Sequence, residues 1–224
     1  QLDVGGQISG QITDVNGTPL EKIHVNLDGP GYGIGACTDE NGMYVLNGVS
    51  YETDYYLRAD PLGDNWCGGS EAYAQQYWPG VTREEDSVPV RITEIEPVLG
   101  GINFELEPGG RISGVVFKSD GVTPVEGACV DIFSDPQNGI YDFGWGQTGS
   151  DGVFNFAGVP AGEHYLRVYP RCAGMNPELV NEWYKGEAVS SPNVNDAALM
   201  TVISGDHLSG LDFQLDTGAT LSGI

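Results

Sequence analysis

The chain has 224 residues, 40% hydrophobic, with 34 glycines and 13 prolines, which is room for one large or two ordinary domains built from turns and short strands rather than long helices. Its 32 acidic and 9 basic residues give a formal net charge of -23, which repels nucleic-acid phosphates and anionic lipid, so neither is an expected partner. No apolar run approaches the roughly 20 residues that span a bilayer, so no membrane insertion is expected, and the 4 cysteines include no CxxC pair of the kind that holds zinc.

The opening segment "QLDVGGQISGQI" alternates apolar and polar residues and predicts a strand with Ile8 and Ile12 inward. "DVNGTP" reads as a turn and contains Asn16-Gly17-Thr18, a glycosylation sequon that makes Asn16 a candidate modification site. The next strand carries Val25 and Leu27 inward. "GPGYGIGAC" is glycine-rich like a phosphate loop, but such a loop opens onto a helix N-terminus and here "TDENG" follows, so a bulged or edge strand is expected. "DENG" is hairpin chemistry leading into a strand with Tyr44 and Leu46 inward. Tyr55, Leu57 and Ala59 follow, then Val88, Val90 and Ile92, then Ile102, Phe104 and Leu106. "SEAYAQQYW" is a candidate for a short helix.

The same signals then recur in the same order. "ELEPGGRISGVV" from Glu105 answers the opening segment 104 residues later, and "QLDTGATLSGI" from Gln214 answers it again after a further 109. Between these, "DVNGTPLEKIHVNL" matches "SDGVTPVEGACVDI", "TDENGMYVLNGV" matches "TGSDGVFNFAGV", "YYLRAD" matches "HYLRVY", and "QQYWPG" matches "NEWYKG". A period of this length is a domain rather than a solenoid coil. The second half offers Ile112, Val116, Val130, Ile132, Phe154, Phe156, Leu166, Val168, Leu211, Phe213 and Leu215 as inward residues, and "NPELVNEWY" as a second short helical candidate. Seven short strands in about 105 residues make an antiparallel sandwich.

"GGQISGQITDVNGTPLEKIHVNL", "TDENGMYVLNGV", "DYYLRAD", "QYWPG" and "GGINFELEPGG" resemble the carboxypeptidase regulatory-like domain, a relative of Cna B-type and transthyretin-like sandwiches, and both halves match along nearly their whole length. The resemblance implies a prealbumin-like sandwich of about seven strands, found in series in secreted and surface proteins, with no catalytic residues of its own. The expected fold is therefore all-β: two tandem prealbumin/Ig-like antiparallel β-sandwich domains over residues 1–108 and 109–217, with 218–224 beginning a third repeat or forming a donated strand. No signal-peptide pattern opens the chain, so its numbering is expected to begin after processing or at an artificial boundary.

"DTGA" at Asp216 looks like an aspartic-protease loop, but such enzymes need two of these loops so that two carboxylates share a proton. The matching positions read "DVGG" and "EPGG", so a turn between strands is expected. His24, His164 and His207 are scattered and spell no nucleophile–His–acid pattern. Each half holds two cysteines, which points to Cys37–Cys67 and Cys129–Cys172 among the three pairings that four cysteines allow. Disulfides would place the protein outside the cytosol.

Acidic residues crowd the turns at Asp14, Asp39, Glu40, Asp60, Asp64, Asp131, Asp135 and Asp142, with the amide Asn41 among them. Calcium takes six to eight oxygens of this kind, so Asp39, Asn41, Asp60 and Asp64 are candidate calcium ligands, although capping of a hairpin turn is the alternative for Asp39 and Asn41. Trp66 and Trp145 are not matched between the halves and are candidate stacking platforms for a glycan. The matched "YW" and "WY" pairs are expected to plug the sandwich cores. Cna B-type relatives join a first-strand Lys to a last-strand Asn; Lys118 fits the first half of that requirement, while the closing strand "LDFQLD" has no Asn. The expected function is a non-enzymatic extracellular structural or adhesive module of a stalk, surface array or filament, its partners being neighbouring repeats or subunits of the same protein. The alternative is a carbohydrate-binding accessory module of a larger secreted enzyme.

Overall fold

The computed structural model describes residues 5–30, 33–62, 66–137, 139–172, 174, 176–186 and 189–219, with backbone only over 140–145. They fall into two compact units, Gln1–Gly109 and Gly110–Ile224. No helix among the described residues is long and apolar enough to cross a membrane.

The first unit contains β1 (Gly6–Asp14), β2 (His24–Asp28), β3 (Ile34–Cys37), β4 (Met43–Val49), β5 (Tyr56–Asp60), β6 (Gln76–Tyr77), β7 (Val98–Leu99) and β8 (Phe104–Leu106). One sheet runs β4-β1-β7, with β8 also on β1, and the other runs β3-β2-β5-β6. The second unit contains β9 (Gly110–Lys118), β10 (Cys129–Asp135), β11 (Ile140–Gln147), β12 (Val153–Val159), β13 (Gly162–Tyr169), β14 (Glu182–Gly186), β15 (Val189–Ser191), β16 (Met200–Val202), β17 (His207–Leu208) and β18 (Phe213–Leu215). Its sheets run β12-β9-β17, with β18 on β9, and β11-β10-β13-β14-β15, with β16 on β13.

Each unit closes its two sheets over one apolar core. In the first, Ile8, Ile12, Tyr44, Leu46, Phe104 and Leu106 of one sheet meet Val25, Leu27, Leu57 and Ala59 of the other. In the second, Ile112, Val116, Phe154, Phe156, Phe213 and Leu215 meet Val130, Ile132, Leu166 and Val168. These are the inward positions that period-two alternation predicts, because successive strand side chains point to opposite faces. Val88 departs from the expectation and is 46% exposed. It follows a 3-10 turn at Glu84–Asp86 and lies in no strand; only an isolated bridge joins Tyr55 to Val90.

The two helical candidates form no helix: each is turn and irregular chain that ends in strand, at Gln76–Tyr77 and from Glu182. Tyr77 pairs with Arg58, and Trp183 pairs with Arg167. Extending each sheet satisfies the backbone groups that a short isolated helix would leave open.

Every hairpin is antiparallel, whereas the closing strands run parallel to the first strand: Phe104 opposes Ile12 in one unit and Phe213 opposes Val116 in the other. The repeated "ISG" explains how they approach. A Cβ on Gly10 would lie 1.8 Å from the Ile102 carbonyl oxygen, and one on Gly114 would lie 2.3 Å from that of Leu211. At this crossing a side chain replaces a ladder bond: the Gln11 N–H donates to Asn103 Oδ1, and the Val115 N–H to Asp212 Oδ1, each at 2.9 Å. A buried threonine recurs too, since Thr38 and Thr148 donate to the Leu20 and Val125 carbonyls at 2.6 Å.

Candidate functional site

The turn carboxylates bind their own backbone. Asp39 Oδ1 accepts the N–H groups of Asn41 and Met43, at 2.8 and 2.9 Å. Asp14 Oδ1 accepts those of Asn16 and Thr18. Asp120 accepts the Thr123 hydroxyl and the Thr123 and Val122 N–H groups, and these bonds hold its carboxyl down at about 2. Asp60 ends β5 and accepts the Leu62 N–H; Asp64 lies outside the described residues, and so does the side chain of Asp142. Among the described residues no three His, Cys, Asp or Glu side chains converge as a metal site requires.

The "DTGA" segment is stitched to the start of β14 and to the chain just before it. The Asp216 N–H donates to Glu182 Oε1 at 2.9 Å, and the Gly218 N–H donates to the Glu178 carbonyl at 2.7 Å. The matching "EPGG" is held alike, with Gly109 N–H on Ala72 and Ala74 N–H on Glu107. Glu182 itself is fully buried. It accepts the Ser190 hydroxyl, and burial pushes its carboxyl up. Lys118, placed opposite Leu215, pairs with Glu178 at 3.3 Å. Ser113 Oγ and His207 Nε2 meet at 2.9 Å on an open strand face, a contact that the sequence separation of 94 conceals.

Disulfides join Cys37 to Cys67 and Cys129 to Cys172. Cys67 and Cys172 both follow the "YLR" strand, but their partners sit on neighbouring strands. Cys37 stands on β3 opposite His24, whereas Cys129 stands on β10 opposite Gln147.

Trp66 is 66% exposed, with its ring 4.8 Å from that of His24 and edge-on to it. The backbone of Trp145 lies opposite Asp131; its side chain is outside the description. Tyr77 and Trp183 are buried, while Trp78 and Tyr184 pack half-buried against the cores. Asn16 is exposed at the turn.

The most built polar site lies on the outer face of the longer sheet of the second unit. Alternation sends Val130 and Ile132 inward and turns Cys129, Asp131 and Phe133 outward. Asp131 is 7% exposed and in register with Arg167, whose Nη2 donates to Asp131 Oδ2 at 2.8 Å. The Arg167 guanidinium carbon lies 4.8 Å from the Phe133 ring centre and 5.4 Å from that of Trp183, within cation–π range. Beside this pair is a cleft of about 360 Å³ lined by Cys129, Asp131, Gln147, Arg167, Tyr169, Cys172 and Asn181. In the first unit the same register places Asn26 opposite Arg58, and the nearest acid, Asp28, is 3.9 Å away. Sequence reading missed this cluster. Its legible signal is an acid at an outward position of "ACVDIF" together with the arginine of "YLR".

No protein-family model matches the chain, and no curated protein does. Among solved structures, the Bacillus anthracis TIE protein matches 96% of the chain at 11% identity and a TM-score of 0.37, and the chain spans 34% of it. The streptococcal ancillary pilin matches 96% at 14% identity and a TM-score of 0.38, with 63% of its own length spanned. The minor pilin GBS52 of Streptococcus agalactiae matches 98% at 13% identity and a TM-score of 0.38, with 99% spanned. Likenesses at this level carry no argument about what the chain does.

Proposed function

We propose that the chain is a non-enzymatic extracellular structural module, one segment of a stalk, surface array or filament, and that its partners are neighbouring repeats or further copies of the same protein. The observation that carries this reading is the strand order. In each unit the first and last strands are parallel neighbours, β1 with β8 and β9 with β18. Tension applied between the two ends of such a unit loads that strand pair along its length, so its hydrogen bonds resist together instead of opening one by one. Such a unit is suited to bearing load.

Three further features support the reading. The turn carboxylates are engaged by their own backbone instead of converging on a reacting atom. Two disulfides suit an oxidising compartment, a secreted or cell-surface location. The self-similarity of the two halves and their resemblance to carboxypeptidase regulatory-like repeats support tandem domains over 1–108 and 109–217. The reading requires no cofactor.

Immunolabelling of native material under the electron microscope tests it. Label in an extracellular layer, stalk or filament is the expected result. Recovery as a cytosolic protein with free thiols would reject it.

A further inference from the structure

The cleft beside Asp131 and Arg167 has the makings of a ligand site, and it is independent of whether the chain belongs to an assembly. Its floor is an ion pair that neutralises itself at 2.8 Å. The paired floor leaves no uncompensated charge for an ion of either sign, and the field of a chain with net charge -23 opposes an anion further. The remaining polar groups are the planar amides of Gln147 and Asn181, each with donors and an acceptor on one side chain, and the phenol of Tyr169. Tyr169 is 38% exposed, so part of its ring is open to a partner. Alternating donors and acceptors around an aromatic surface match a ring that carries adjacent hydroxyl groups. The volume of about 360 Å³ lies at the small end of the range for ligand pockets.

The site is also held in shape before anything binds. Arg167 is fixed between Phe133 and Trp183. The Cys129–Cys172 disulfide forms one wall, and Gln147 Nε2 rests 3.6 Å from Cys172 Sγ. Asn176 Nδ2 donates to the Glu126 carbonyl at 2.9 Å, which ties down the segment that carries Asn181. A site ordered in advance loses little entropy on binding. The first unit lacks the arrangement: Asn26 replaces Asp131, Asp60 replaces Tyr169, and Cys37 replaces Gln147 at the matching register.

We propose that this cleft binds a neutral polyhydroxylated ring, a pyranose either free or at the end of a glycan, with Asp131, Arg167, Gln147 and Asn181 on its hydroxyls and Tyr169 against its face.

The test is ¹H–¹⁵N NMR titration of the intact chain with neutral hexoses, N-acetylhexosamines and deoxyhexoses, with a uronate and a sialic acid as acidic counterparts, to about 50 mM. At least one neutral sugar is expected to give saturable shifts at the Gln147 and Asn181 side-chain amides and at the Arg167 Nε–H. Asn181→Ala and Tyr169→Ala, at exposed positions that leave the core intact, are each expected to weaken binding about fivefold, the loss of roughly one hydrogen bond or ring contact. Trp66→Ala is expected to leave it unchanged. The proposal fails if no neutral sugar gives a saturable shift or if only the acidic sugars bind. It fails equally if the shifts survive both substitutions or vanish on Trp66→Ala.

Discussion

Arg58 and Arg167 occupy the same place in two sheets that share a strand order, a register and a "YLR" sequence. Arg58 faces Asn26, stands 3.9 Å from the half-buried Asp28, and lies 6.0 Å from the Tyr77 ring centre. Arg167 faces Asp131 at 2.8 Å and is enclosed by Phe133 and Trp183. The inward residues of these strands hardly differ in character, because each must fill a core. The outward ones are free to diverge, and three outward differences, Asp131 for Asn26, Phe133 for Asp28 and Trp183 for Tyr77, accompany the change from a loose surface contact to a fixed cluster. In sandwiches of this kind, then, individuality lies on the outer sheet faces and in the loops tied to them.

The largest effect is expected from the disulfides, which serve the two units almost equally. With sequence separations of 30 and 43 residues, the chain-entropy estimate is about 3.6 kcal/mol for the first unit and about 4 kcal/mol for the second. Denaturant titration with and without reductant checks this; equal stability in both conditions would refute it. Next come the arginines. Arg167→Ala strands a mostly buried carboxylate and is expected to cost about 2–4 kcal/mol, discounted from a fully buried pair because part of Arg167 remains solvated. Arg58→Ala is expected to cost under about 1 kcal/mol. Comparable losses in the two variants, measured by urea denaturation, would abolish the contrast.

Gly10→Ala and Gly114→Ala push a methyl group into the closing strand's backbone and are each expected to cost about 1–3 kcal/mol, more at Gly10, where the approach is closer. Similar midpoints for these variants and the parent in thermal unfolding would show that the crossing is loose. The smallest effect concerns Glu182, which matches Gln76 in the first unit. Burial raises its carboxyl in the folded state. Its contribution is therefore fully present below the ordinary carboxylate range and is lost as pH rises through the raised folded value. Glu182→Gln should flatten the fall in second-unit stability over that window, as read from melting temperature against pH. An unchanged slope would contradict the assignment.

The cores were legible because strands of five to nine residues repeat a period of two. Val88 was misjudged because it alternates with Val90 and Ile92 without belonging to a strand. The pieces around Gln76 and Glu182 read as helical in the sequence because strands of two and five residues carry little periodicity, and their pairing with β5 and β13 overrides local preference. The cleft was not legible. Its members come from four separated segments, and the register that aligns β10 with β11 passes through bulges between Asp131 and Asp135. Asn103 and Asp212 were visible as residues, but their role at the parallel crossing depends on a closing strand whose direction the alternation does not reveal.

Pulling single chains from their two ends in a force spectrometer tests the load-bearing reading most directly. The expected record has two discrete high-force rupture events, each followed by an extension that lengthens when reductant opens the Cys37–Cys67 or Cys129–Cys172 loop. Gradual low-force extension without discrete ruptures, or ruptures no stronger than those of a domain pulled open strand by strand, would contradict it.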